Sequence, residues 1–100
     1  FDADLVLVSA GFDAHERDPL ANLNLDAATY GSMTSALLQH VQAAGHGRLG
    51  LVLEGGYDLR ALEDSVKAVT SALGGDLVAL PEGRIGPEFE RALASAEALR

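Results

Sequence analysis

The chain has 100 residues, 48% of them hydrophobic, with 15 Asp and Glu against seven Lys and Arg for a formal charge of −8, and it has no cysteine. A chain of this length buries only about 60–65% of the surface its unfolded form exposes, so one marginal core is expected. The acidic balance, with its few basic residues scattered, argues against direct nucleic-acid or membrane partners and suits a cationic substrate. Without cysteine there is no disulfide framework, thiolate metal site or cysteine nucleophile, so a bound metal would need His or carboxylate ligands.

Phe1 stands where an initiator methionine is absent and an apolar strand begins almost at once, which reads as a piece cut from a longer protein. Asp2 and Asp4 replace the basic start of a signal peptide, and no apolar run reaches the length of a membrane span. Leu5 to Ala10 (LVLVSA) is a short apolar run closed by Gly11, the pattern of a strand buried on both faces within a parallel sheet. Gly11 to Leu25 is of mixed polarity and holds Pro19, Asn22 and Asn24. It exceeds the usual strand-to-helix connection of about two to six residues, and long structured loops often carry function.

Asp26 is placed to cap a helix whose apolar face is Tyr30, Met33, Leu37, Leu38, Val41 and Ala44, and Gly45 stops it. Leu49 to Glu54 (LGLVLE) repeats the strand pattern and ends in Gly55-Gly56. Asp58 opens a second helix with Leu59, Leu62, Val66, Val69 and Leu73 on one face, and Gly74-Gly75 stops that one. Residues 76–86 read as a connector. Gly86-Pro87 then opens a terminal helix with Phe89, Leu93 and Ala96 on one side. This order predicts an α/β unit with parallel strands and a right-handed crossover, which brings loops 11–25 and 55–58 together at the carboxyl edge of the sheet, where ligands bind.

Those two loops hold the least ordinary residues, SAGFDAHERDPL at Ser9 to Leu20 and LEGGYDL at Leu53 to Leu59. On spacing alone each has a plain reading. Asp18 before Pro19 starts a turn, as Asp-Pro often does, and Gly55-Gly56 ends a strand with Tyr57 packed nearby. His15 and Asp18, three residues apart, could also converge on a metal, though two ligands do not close a site.

Taken together, in this order and each after a predicted strand, the two motifs resemble the histone deacetylase family over roughly residues 4–75, closest in wording to its bacterial and class II members. The resemblance implies a three-layer α/β/α arginase/deacetylase-like fold with a parallel sheet, of which two strands and about three helices are present. Residues 1–75 would be the C-terminal part of the catalytic domain, 76–86 a connector and 87–100 a C-terminal helix of the same domain.

It further implies a metal, usually zinc, held by Asp18 together with an upstream Asp-x-His segment; iron fits such ligands as well. Asp13 is expected to brace the loop by hydrogen bonding, and His15 to pack the loop or line the pocket rim. Tyr57 would donate its hydroxyl to the substrate carbonyl and then to the oxyanion. Gly55 and Gly56 would allow close approach to the substrate, an acetylated lysine or acetylated polyamine. The family's general base belongs to a His-His pair. His15, His40 and His46 are isolated from one another, and Asp-x-His is absent, so the chain alone is expected to be inactive and to bind zinc weakly at best. A bacterial cytoplasm suits the cysteine-free composition. Two other readings are a non-catalytic α/β interaction module derived from such a domain and a nucleotide-binding half-domain. The last lacks any G-x-G-x-x-G or P-loop pattern.

Overall fold

The computed structural model describes residues 2–79 and 86–99. Its elements are β1 (Val6–Ala10), α1 (Ala27–Ala43), β2 (Leu49–Leu53), α2 (Leu59–Leu73) and α3 (Pro87–Glu97). The expected connector at 76–86 lies largely outside the described residues. β1 and β2 pair in parallel, from Val6 opposite Leu49 to Ala10 opposite Leu53, so both chains leave the sheet at the same edge.

Local chemistry sets the helix ends. The Asp26 carboxylate accepts from the Thr29 amide at 2.8 Å and the Thr29 hydroxyl at 2.7 Å, and that of Asp58 accepts from the Ala61 amide at 2.7 Å. Each satisfies amides that the first turn leaves unpaired. Past the C-terminal ends, Gly45 and Gly75 adopt φ values of 90° and 102°, which a side chain would oppose.

α1 and α2 pack against each other and against one face of the sheet. Phe12, Tyr30 and Val69 form the centre of the core, with Ala10, Ala14, Leu25, Leu51 and Leu62 around them. Fully burying one such side chain stabilises by about 1.5–3 kcal/mol, whereas ordering each backbone residue costs about 1–2 kcal/mol. This core is therefore thin for the chain it must hold.

Two expectations about burial change. The strands are not covered on both faces: Leu7 and Val52 share one face and are 67% and 55% exposed, while Val8, Ala10 and Leu51 turn toward the helices. The buried face of α1 is also more polar than its apolar spacing predicts. Tyr30 and Val41 are buried, but so are Ser32, Thr34 and Ser35, while Met33 is exposed and Leu37 and Leu38 are half-buried.

Close helix packing explains the second change. A Cβ on Gly31 would stand 3.4 Å from both the Cβ and the carbonyl oxygen of Ala68, so only small residues fit this seam. The hydroxyls there find backbone partners. Thr34 donates to the Tyr30 carbonyl, Ser32 donates to the Ala79 carbonyl, and Ser35 accepts from the Val78 amide at 2.9 Å, which ties the chain beyond α2 back onto α1. α3 buries none of its residues, and Phe89 and Leu93 on its apolar side are exposed.

Candidate functional site

The first motif forms a closed loop. The Glu16 amide donates to the Leu25 carbonyl at 2.8 Å and the Leu25 amide to the Ala14 carbonyl at 3.0 Å, joining the two ends of the excursion. Inside it, the His15 amide donates to the Phe12 carbonyl and the Asp18 amide to the His15 carbonyl. Asn22 takes a positive φ of 53°, a conformation asparagine accepts more readily than most residues.

His15 is buried, and its Nδ1 accepts from the Arg17 amide at 3.1 Å. The ring thus packs and turns the loop, as the loop-packing expectation had it. His46 does the same for the turn after α1, accepting at Nδ1 from the Arg48 amide.

Asp18 is 7% exposed and belongs to both loops. Its Oδ1 accepts from the amides of Leu20 at 2.8 Å and Ala21 at 3.4 Å, and its Oδ2 accepts from the Tyr57 amide at 2.9 Å. Burial alone would raise its pKa, but the amides of Leu20, Tyr57 and Ala21, together with His15, outweigh it and hold the carboxyl below its ordinary value of 3.8.

Asp13 has the complementary environment. No donor among the described residues reaches its carboxylate, which lies across the backbone of two glycines. A Cβ on Gly55 would stand 3.0 Å from Asp13 Oδ2, and one on Gly11 would stand 2.9 Å from Oδ1.

Gly55 and Gly56 have different reasons to be glycine. Gly55 leaves room for the Asp13 carboxylate. Gly56 takes a φ of 136° and is walled by Phe12 Cβ at 3.1 Å and Leu62 Cδ1 at 3.3 Å, so it meets both a conformational and a spatial requirement. Tyr57 follows with its side chain 58% exposed at the open edge.

The two loops are therefore neighbours, as strand order predicts. The Phe12 amide donates to the Gly55 carbonyl at 2.8 Å, Asp18 holds the Tyr57 amide, and Arg17 Nε lies 3.9 Å from an Asp58 carboxylate oxygen. Exposed ion pairs of that length contribute little, so the backbone and Asp18 bonds are the main connection.

Among the described residues, no group of three or more His, Asp or Glu side chains converges on a point where a metal could sit. The chemistry offered is the Asp18 carboxylate at the junction of the two loops, which alone does not close a metal site. The plain reading of Asp18 describes part of its geometry, since its Oδ1 accepts from the amides two and three residues on, as in a turn.

An α/β segment with parallel strands, two motif loops joined at their carboxyl ends and a tyrosine at the open edge defines the class of protein. The family model for the histone deacetylase domain matches residues 1–73, and the chain belongs to that family. It is 45% identical over 90 residues to the chloroplastic histone deacetylase 14 of Arabidopsis thaliana, covering 90% of this chain and 20% of that protein. To histone deacetylase 9 of Homo sapiens it is 44% identical over 85 residues, 82% of this chain and 8% of that one.

Among solved structures, the histone deacetylase Clr3 superposes with a TM-score of 0.73 at 33% identity, over 94% of this chain and 15% of that chain. The HDA15 HD domain superposes with a TM-score of 0.76 at 32% identity, over 99% and 26%. The fold is thus that of a deacetylase domain, and the chain spans about a quarter or less of the relatives it matches.

Proposed function

We propose that this chain supplies one wall of a zinc-dependent deacetylase site that hydrolyses N-acetyl amides of acetyl-lysine or a related acetylated amine. The observation that carries this reading is the Asp18–Tyr57 hydrogen bond, which fixes the two motif loops as one unit with Tyr57 at its open edge. Tyr57 donates its hydroxyl to the substrate carbonyl and, as the carbonyl becomes tetrahedral, to its oxygen, where a lost donor typically costs about 2.7–4 kcal/mol. Gly55 and Gly56 keep this edge free of side chains so that substrate can approach.

Of the two carboxylates, we assign the metal-facing role to Asp18, the position the family resemblance implies, and it also ties the two loops together through the Tyr57 amide. Three amides take three of the about four acceptor positions of a carboxylate, so Asp18 Oδ2, which accepts only the Tyr57 amide, keeps a lone pair for a metal. Zinc, when bound, supplies Lewis-acid polarisation of the acyl carbonyl and a water of lowered pKa. The remaining ligands and the general base come from residues outside this sequence, so the chain alone is inactive.

The test uses a complete domain carrying this segment, with metal content and turnover of an acetyl-lysine peptide measured together. Asp18→Ala should lose zinc, and Tyr57→Phe should keep zinc while kcat falls by about 10²–10³. Stoichiometric zinc in Asp18→Ala would refute the ligand assignment, and undiminished turnover in Tyr57→Phe would refute the oxyanion role.

A further inference from the structure

His15 stands at the turn of the first motif loop, just ahead of Asp18, and the deacetylation chemistry above does not use it. It is 5% exposed on a loop whose next two residues, Glu16 and Arg17, are exposed. Its amide donates to the Phe12 carbonyl at 3.3 Å, and its backbone pairs with that of Leu25 where the two ends of the loop close.

The two peptide units that lead into Asp18 are both held by this one residue. The His15 carbonyl accepts from the Asp18 amide at 2.9 Å, and the His15 Nδ1 accepts from the Arg17 amide at 3.1 Å. The ring bond is the one an Asx turn makes, with a side-chain acceptor bound to the amide two residues on, except that an imidazole supplies it here. Accepting at Nδ1 puts the proton of the neutral ring on Nε2.

We infer that His15 is a positioning residue for the metal ligand Asp18: its Nδ1, through the Arg17 amide, fixes the turn that delivers the carboxylate to the junction of the two loops. In this role His15 acts through the backbone and contacts neither metal nor substrate. The inference rests on the reading of Asp18 as the ligand. The Tyr57 amide holds Asp18 Oδ2 from the other loop, so the turn and that amide together decide where the remaining lone pair points. Groups that orient a metal's ligands typically change metal affinity by about 10–100-fold when removed.

Two substitutions separate the acceptor from the ring that carries it. His15→Asn keeps an acceptor, because Oδ1 is attached to the same side-chain carbon as Nδ1, and gives up ring volume. His15→Leu keeps apolar volume and loses the acceptor. A packing role favours the leucine variant, whereas a positioning role favours the asparagine one.

In a complete domain carrying this segment, zinc affinity is measured by competition with a chromogenic chelator, beside the melting temperature of the metal-free domain. Affinity should fall about tenfold or more in His15→Leu and stay near that of the unchanged domain in His15→Asn. Unchanged affinity in His15→Leu, with zinc lost in Asp18→Ala, overturns this inference alone. A loss of about tenfold in His15→Asn also overturns it, since ring volume and not the acceptor then holds the turn. So does a loss in His15→Leu that its metal-free stability accounts for. If His15→Leu does not fold, His15→Asn decides alone by the same two outcomes. Zinc retained in Asp18→Ala overturns the ligand assignment and this inference with it.

Discussion

Asp18 Oδ2 accepts a hydrogen bond from the Tyr57 amide at 2.9 Å across 39 residues of chain, so the carboxylate of one motif sets the backbone position of the other. A tyrosine hydroxyl meant to meet an oxyanion has to be held to a fraction of an ångström, and the anchor here is a buried, charged acceptor. Position 18 thus carries a positioning duty beside the metal-ligand role proposed for it.

Asp18→Ala should therefore lose both zinc and the anchor of Tyr57, so that turnover at saturating zinc stays about tenfold or more below the unchanged domain, since a misplaced catalytic group of this kind costs up to about 10². Metal analysis beside steady-state kinetics on a complete domain checks it. Full zinc content in the variant would remove the ligand role from Asp18, and full recovery of turnover at saturating zinc would remove its anchoring role.

Acidification should act on the same bond. The folded pKa of Asp18 is depressed below 3.8, so its stabilisation is fully present above that value and is lost as the pH falls through the depressed folded value. The Tyr57 amide resonance, followed by NMR, should stay constant from neutrality to about pH 4 and move only below it. A midpoint near pH 6 would mean that another group governs the contact.

Gly56→Ala forces a side chain into a φ of 136° with Phe12 Cβ at 3.1 Å, and it should destabilise a complete domain by about 1–3 kcal/mol in chemical denaturation. Gly55→Ala should differ in kind. It pushes on the Asp13 carboxylate and through it on the loop that carries Asp18, and should weaken zinc binding more than it lowers stability.

The open sheet face makes a prediction for the isolated chain. Leu7 and Val52 are exposed and adjacent, so the 100-residue chain should bind a hydrophobic dye and self-associate in sedimentation. Leu7→Lys with Val52→Thr should reduce both, with stability changed by no more than about 0.5 kcal/mol because both side chains lie at the surface.

Much of the fold was legible because it is written in local chemistry. Asp26 and Asp58 cap, Gly45 and Gly75 release, and parallel strands bring loops 11–25 and 55–58 to one edge. What escaped depends on distances that spacing does not encode. Counting apolar residues along α1 assumes an ordinary gap between helices, and Gly31 closes that gap until serine and threonine line the seam. The motifs named Asp13 and Asp18 together, but which of them faces backbone amides depends on Leu20 and Tyr57 folding around Asp18.

The Asp13 carboxylate occupies volume that Gly11 and Gly55 leave empty, and Gly56 is shaped around Phe12 in the same way. Each motif is thus the mould of the other. Substitutions in one should be tolerated or rejected according to what stands in its counterpart, and a graft of residues 11–25 into a different scaffold has to bring residues 54–58 with it.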